Sequence, residues 1–182
     1  MCSNLIRILK PNATQEEALR AFSSSGASAL YWRIRSGPLR RIADAYVPYF
    51  LFCVKCTARP PRLFAMDAVH GALDLFEFPR LPGNGELLLT SSTRNLLRAA
   101  LTEERAAELL REKVLRVIFQ QGLFKLRDPR IEITRVPGEL HLPYWLGFYE
   151  RSGSVHCRVM DAIRRRMEGA KASAFFEQWL AA

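Results

Sequence analysis

Hydrophobic positions recur at helical spacing in some stretches of this chain and alternate in others, with proline and glycine punctuating the changes. The first helical pattern opens at Thr14. Thr14 and Glu17 have the capping-box spacing, Ala18, Leu19, Ala21 and Phe22 supply an apolar face, and Gly26 is placed to cap the end. The aromatic-rich "ALYWRIR" then predicts a strand, and Ser36-Gly37-Pro38 a turn. "ADAYVPYFLFCVK" predicts the next strand, Arg59-Pro60-Pro61-Arg62 a reversal, "LFAMDAV" a returning strand and His70-Gly71 a tight turn, with "ALDLFEF" as a further strand. Pro79 to Asn95 is dense in residues that interrupt regular structure and reads as a linker around a short "ELLLTS".

A long helix is predicted from Thr102 to Gln121, with Leu109, Leu110, Val114, Val117 and Ile118 at helical spacing and Gly122 ending it. "RIEITRV", a turn at Pro137-Gly138, the strand "ELHLPYWLGFYE", a turn at Arg151–Ser154 and "VHCRVMDA" follow. Ile163 to Leu180 reads as a final helix, striped by Ile163, Met167, Ala170, Ala174, Phe175, Phe176 and Trp179.

The two halves carry the same phrase. Pro48, Tyr49 and Leu51 recur as Pro143, Tyr144 and Leu146, and Met66, Asp67 and Ala68 recur as Met160, Asp161 and Ala162. A helix with Leu19-Arg20-Ala21 precedes the first copy and one with Leu115-Arg116-Val117 the second. The expected fold class is α+β, built from two related helix-plus-antiparallel-sheet repeats sharing a core in one pseudo-symmetric domain. Residues 1–78 form the first repeat, 79–101 the linker and 102–182 the second repeat with its C-terminal helix.

Strand alternation sorts the repeated phrase by face. Leu140, Leu142, Tyr144, Leu146 and Phe148 share one face, with His141, Trp145 and Tyr149 opposite. In the first copy Val47, Tyr49, Leu51 and Cys53 lie on one face and Phe50, Phe52 and Val54 on the other, so this strand is apolar on both sides and calls for cover on both. Phe50, Phe52, Val54 and Trp145 are therefore candidate interface residues. Pro48 and Pro143 are expected where the strand is unpaired, bulged or at an edge. Asp67 and Asp161 are expected to accept backbone N–H bonds, Asp161 as the N-cap of a helix.

These residues carry a resemblance. A helix followed by antiparallel strands, with "PYFLF…MDAVHG" and "PYWLGF…MDAI", resembles the helix-on-sheet modules of PepSY-type and cystatin-like domains. It is also similar to uncharacterised bacterial proteins with a Tyr-Pro-Tyr-Trp strand followed by Asp-Ala-x-x-Gly. Arg165 stands where the first copy has Gly71. The resemblance implies a binding or regulatory module and transfers no catalytic residue.

Composition is that of a globular chain, 49% hydrophobic and 25% charged. No apolar run approaches the roughly 20 residues needed to cross a bilayer. "MCSNLIRILK" has no apolar stretch with a small-residue cleavage site, so no secretory signal is read and the cytoplasm is the expected compartment. The net charge is +9, with 27 Lys and Arg against 18 Asp and Glu, which favours anionic partners. Arg33, Arg35, Arg40 and Arg41 beside Tyr31 and Trp32, with Arg164, Arg165 and Arg166 near the last helix, form a candidate nucleic-acid or anion surface. Four cysteines are too few for a disulfide scaffold. Cys53 and Cys56 supply half of a zinc site that Cys157 and His156 would complete, although residues three apart on a strand point to opposite faces. His70, His141 and His156 are scattered, and no glycine-rich phosphate loop or nucleophile motif is present. The leading expectation is a non-enzymatic binding or assembly module that engages a protein partner or itself. Nucleic-acid binding through the arginines is the alternative, and a zinc or enzymatic site at the CxxC a further one.

Overall fold

The computed structural model describes residues 6–23, 27–56, 60–90, 95–120 and 130–181, and within these it is α+β. Two long antiparallel strands, β2 (Leu39–Cys56) and β6 (Ile131–Arg151), form its centre. Beside β2 lie β3 (Arg62–Asp67) and β4 (Phe76–Phe78). Along the outer edge of β6 lie β1 (Ile6–Leu9), parallel to it, and β7 (Ser154–Asp161). β5 (Leu87–Thr90) extends the sheet from β1 and the short β8 (Arg166–Met167) from β7. The stretch expected as a linker thus contributes β5 and the buried Leu97.

Helices α1 (Gln15–Ser23) and α3 (Glu103–Gln120) pack on one face of the sheet, and α4 (Ala170–Ala181) on the other. Alternation along β2 explains the division. Val47, Tyr49 and Leu51 join Leu140, Leu142 and Tyr144 in a cluster closed by Phe175 and Phe176 of α4. Phe50, Phe52 and Val54 point the other way, into Ala106, Leu110 and Val114 of α3. The second face of this doubly apolar strand is therefore covered from within the chain. At the other end of the same face, Gly147 leaves room for Phe22 of α1, whose ring atoms stand 2.8 Å from where a β-carbon would be. The capping box forms as its spacing implies: Thr14 Oγ1 accepts from the Glu17 amide and Glu17 Oε2 from the Thr14 amide. Gly26, Gly122 and Arg59 lie outside the described residues.

Four segments depart from the sequence pattern. "ALYWRIR" lies in a helix, α2 (Ala27–Ser36). Its small residues at the start favour a helix, and Gly37 at φ 85° supplies the left-handed residue that ends one. Strand propensity at Tyr31 and Trp32 is overridden once Trp32 packs on Tyr149, 6.2 Å between ring centroids. Pro137-Gly138 is a bulge inside β6 rather than a turn between strands, because Leu51 pairs with Val136 while Phe50 pairs with Glu139. The last helix begins at Ala170, not Ile163, since Arg165 has φ 55° and β8 folds back on β7. The strand in "ALDLFEF" is confined to Phe76–Phe78, because Asp67 holds the preceding loop by its amides.

Pro48 and Pro143 sit in the two central strands without costing a ladder bond. The Tyr46 amide points outward to the Asn95 carbonyl, and residues two apart direct their amides to the same side. Pro48 therefore falls in the gap between the Tyr46–Leu96 bridge and the end of β3, where Asp67 pairs with Tyr49. Pro143 falls in the matching gap between β1 at His141 and β7 at Tyr144.

Candidate functional site

The two repeated phrases meet at the sheet centre. Tyr49 and Tyr144 are buried, and their hydroxyls lie 2.6 Å apart. Tyr49 pairs with Asp67 across β2 and β3, and Tyr144 with Asp161 across β6 and β7. Burial raises both phenol pKa values, so the pair stays protonated and neutral. Each carboxylate closes a turn: Asp67 accepts from the amides of His70, Gly71 and Leu73, and Asp161 from those of Ile163 and Arg164. Asp161 thus caps a turn, where a helix cap is expected from the sequence. Asp67 spends both carboxylate oxygens on backbone amides, whereas Asp161 spends Oδ1 on two amides and leaves Oδ2 buried without a hydrogen bond, 3.6 Å from the Arg164 guanidinium.

The arginines divide into two groups. Arg164 lies 3.6 Å from Asp161, donates to the Leu75 carbonyl and stacks on Phe76 at 4.3 Å. Arg165 donates twice to the Asn12 carbonyl and meets Glu17 at 3.4 Å. Arg166 binds Glu168 at 3.0 Å, with Asp74 at 3.9 Å. These three tie the turn after β7 to the rest of the molecule. Arg40 and Arg41 are exposed at the other end of the sheet, Arg40 3.5 Å from Glu150 and Arg41 over the Phe148 ring at 4.7 Å. Arg35 is exposed on α2, and the side chain of Arg33 lies outside the described residues. Of the two aromatics expected beside these arginines, the side chain of Tyr31 lies outside the described residues and Trp32 is half-buried, with Arg158 over its ring at 5.5 Å.

Cys53 and Cys56 are half-buried on β2 and Cys157 is buried on β7. The register places Cys157 across β6 from Arg41, whereas Cys53 stands near the far end of β2, roughly 40 Å of strand away at the usual rise. Burial pushes the Cys157 thiol up to about 12, which disfavours the thiolate that binds metal. No cluster of His, Cys, Asp and Glu able to hold a metal occurs among the described residues.

Comparison with known protein families, with curated proteins and with solved structures finds no match for the chain. No helix among the described residues is long and apolar enough to cross a membrane.

The candidate interface residues Phe50, Phe52 and Val54 lie beneath α3. Trp145 is half-buried, its indole Nε1 donating to the Ala13 carbonyl at 3.0 Å. Among the exposed apolar side chains, which include Val155 on β7, two lie one turn apart on α2. Leu30 is 56% exposed and Ile34, one turn on, 64% exposed, while Trp32 and Ser36 face inward. Sequence reasoning missed this pair because a strand reading of "ALYWRIR" puts Leu30 and Ile34 on the same side as Trp32. It also missed Arg135. Its guanidinium donates to the carbonyls of Leu51, Val136 and Gly138, the acceptors freed by the β6 bulge, and stacks on Phe50 at 4.5 Å. An arginine before Pro-Gly carries no local signal for that role.

Proposed function

We propose that the chain is a non-enzymatic assembly module made of two related β-α-β-β units, and that it engages an acidic protein partner through the outer face of α2. Matched hydrogen bonds support the two-unit reading. The amides of Asn12 and Ala13 donate to the Ala162 carbonyl, and those of Ala100 and Leu101 to the Ala68 carbonyl. Ala68 donates to Pro48 and Ala162 to Pro143. Ala18 bonds to Thr14 as Ala106 does to Thr102, and the left-handed Gly71 has its counterpart in the left-handed Arg165. In the first of these sets the bond from one unit's helix entry ends on the other unit's turn, so each unit completes its partner there. The resemblance to PepSY-type and cystatin-like modules points to binding in the same way.

The exposed pair Leu30 and Ile34 carries the functional reading. Two aliphatic side chains one turn apart, on a helix whose other side is already packed, leave apolar area in water that a partner would cover. Arg35 on the same helix, with Arg40 and Arg41 just beyond its end, gives that face a basic border, which complements an acidic rim.

Native co-purification with and without nuclease, read by mass spectrometry alongside the L30E/I34E variant, tests this. The expected result is a stoichiometric, nuclease-resistant acidic protein that is lost from the variant and weakened by salt, with the variant's unfolding midpoint unchanged. Partners that vanish on nuclease treatment would replace this reading with nucleic-acid binding, and partners retained by the variant would exclude α2 as the contact.

A further inference from the structure

A cavity of ≈ 390 Å³ opens between the end of β1, β4, the loop leading to β5 and the turn after β7. Its volume lies within the range of small-ligand sites. Leu9, Phe76 and Phe78 are buried and form its floor, and Pro79, Pro82 and Ile163 form its walls. The Phe76 and Phe78 rings stand 4.6 Å apart, and Arg164 holds Phe76 from behind by stacking. This floor is therefore fixed before any ligand arrives.

Charge is confined to the rim, at Lys10, Arg80 and Glu86. Arg80 and Glu86 lie 3.0 Å apart and neutralise each other, and Glu86 Oε2 also accepts from the Gly83 amide. Lys10 has no carboxylate partner among the described residues. The rim thus offers one uncompensated positive charge above an apolar floor. At the packing density of a liquid the cavity holds roughly a dozen non-hydrogen atoms.

We infer that this cavity binds a small monoanionic amphiphile: a carboxylate at Lys10 on an aliphatic or aromatic body that rests on Leu9, Phe76 and Phe78. A dianion would leave its second charge without a partner, because Glu86 occupies Arg80. A neutral amphiphile would leave the Lys10 ammonium unpaired. The site uses none of α2 and stands whether or not that helix binds a protein.

The test is calorimetric titration of the whole chain with sodium octanoate and with octan-1-ol. Octanoate is expected to bind saturably at one site per chain. Octanol should bind about tenfold more weakly, the worth of one charge-assisted hydrogen bond. Lys10→Gln should bring octanoate down to the level of octanol and leave octanol itself unchanged. Ile163→Trp, which fills the cavity, should abolish both. Because Lys10 is exposed, its variant is expected to keep the unfolding midpoint of the parent, so loss of binding there is not loss of fold. No saturable octanoate binding, equal binding of octanol, an octanoate affinity unchanged in Lys10→Gln, or octanoate binding that survives Ile163→Trp would overturn the proposal.

Discussion

Tyr49 and Tyr144 show how a buried polar pair is read at the level of single residues. Each hydroxyl satisfies the other in the sheet centre, so the loss of one leaves its partner unmatched in a low-dielectric interior. Tyr49→Phe or Tyr144→Phe alone should destabilise the fold by about 1–3 kcal/mol, the cost of an unsatisfied buried hydroxyl. The double variant should cost little more than either single one, since no orphan remains. Urea unfolding of the four proteins measures this, and additive losses would show that the two hydroxyls do not depend on each other. The repeated phrase is thus a structural joint. Asp67 and Asp161 supply its turns and the tyrosines its centre.

At the scale of elements, the sheet decides how closely each helix can approach. α1 reaches β6 because Gly147 has no side chain where Phe22 lands. A β-carbon there would meet the ring at 2.8 Å, and the ring is 2% exposed with nowhere to move. Gly147→Ala should cost about 1–3 kcal/mol by overpacking and lift α1 from the sheet. Faster amide exchange in residues 15–23 than in α3 would report that lifting. α3 approaches the same face at the other end through Leu110 over Phe52, and its Leu109 stands 2.8 Å from where a β-carbon on Gly71 would be. Much of this level is legible in the sequence. Thr14 and Glu17 announce the start of α1, and alternation along Val47–Val54 assigns each residue to its face. The helical state of α2 is not legible, because its aromatic residues favour a strand until Tyr149 takes Trp32 into a tertiary contact.

At the scale of the whole molecule, β1 adds to the edge of β6, with Ile8 opposite His141. His141 is buried there, with Nε2 3.3 Å from Glu139 and Nδ1 without a partner. Burial pushes its pKa down to about 4 from 6.5. The unfolded chain therefore binds the proton more readily between those values. Stability is full above pH 6.5, falls as pH drops towards 4, and is not reduced further by this group below that. The loss is on the order of 3–4 kcal/mol at about 1.4 kcal/mol per pKa unit. Burial also raises the pKa of Glu139, which works in the opposite sense, so the measurement is the difference between the parent and His141→Gln. That difference should shrink from pH 7 to pH 4 as the parent loses its advantage. A constant difference would mean that His141 does not titrate with folding.

Local periodicity and backbone chemistry are complete in the sequence. By themselves they determined the α+β character, the inward and outward sets of both central strands, the capped start of α1 and the role of the aspartates as acceptors of backbone amides. Each of these depends on neighbours a few residues away. Only the tertiary structure decided that Pro137-Gly138 would bulge within one strand, that α3 would close the face of Phe50, and that Arg135 would collect the carbonyls the bulge releases. It also brought residues 9–12, 76–86 and 163 around one cavity. These outcomes follow from strand register and from packing between distant segments, where the free energy belongs to the pair and neither partner's local sequence contains it.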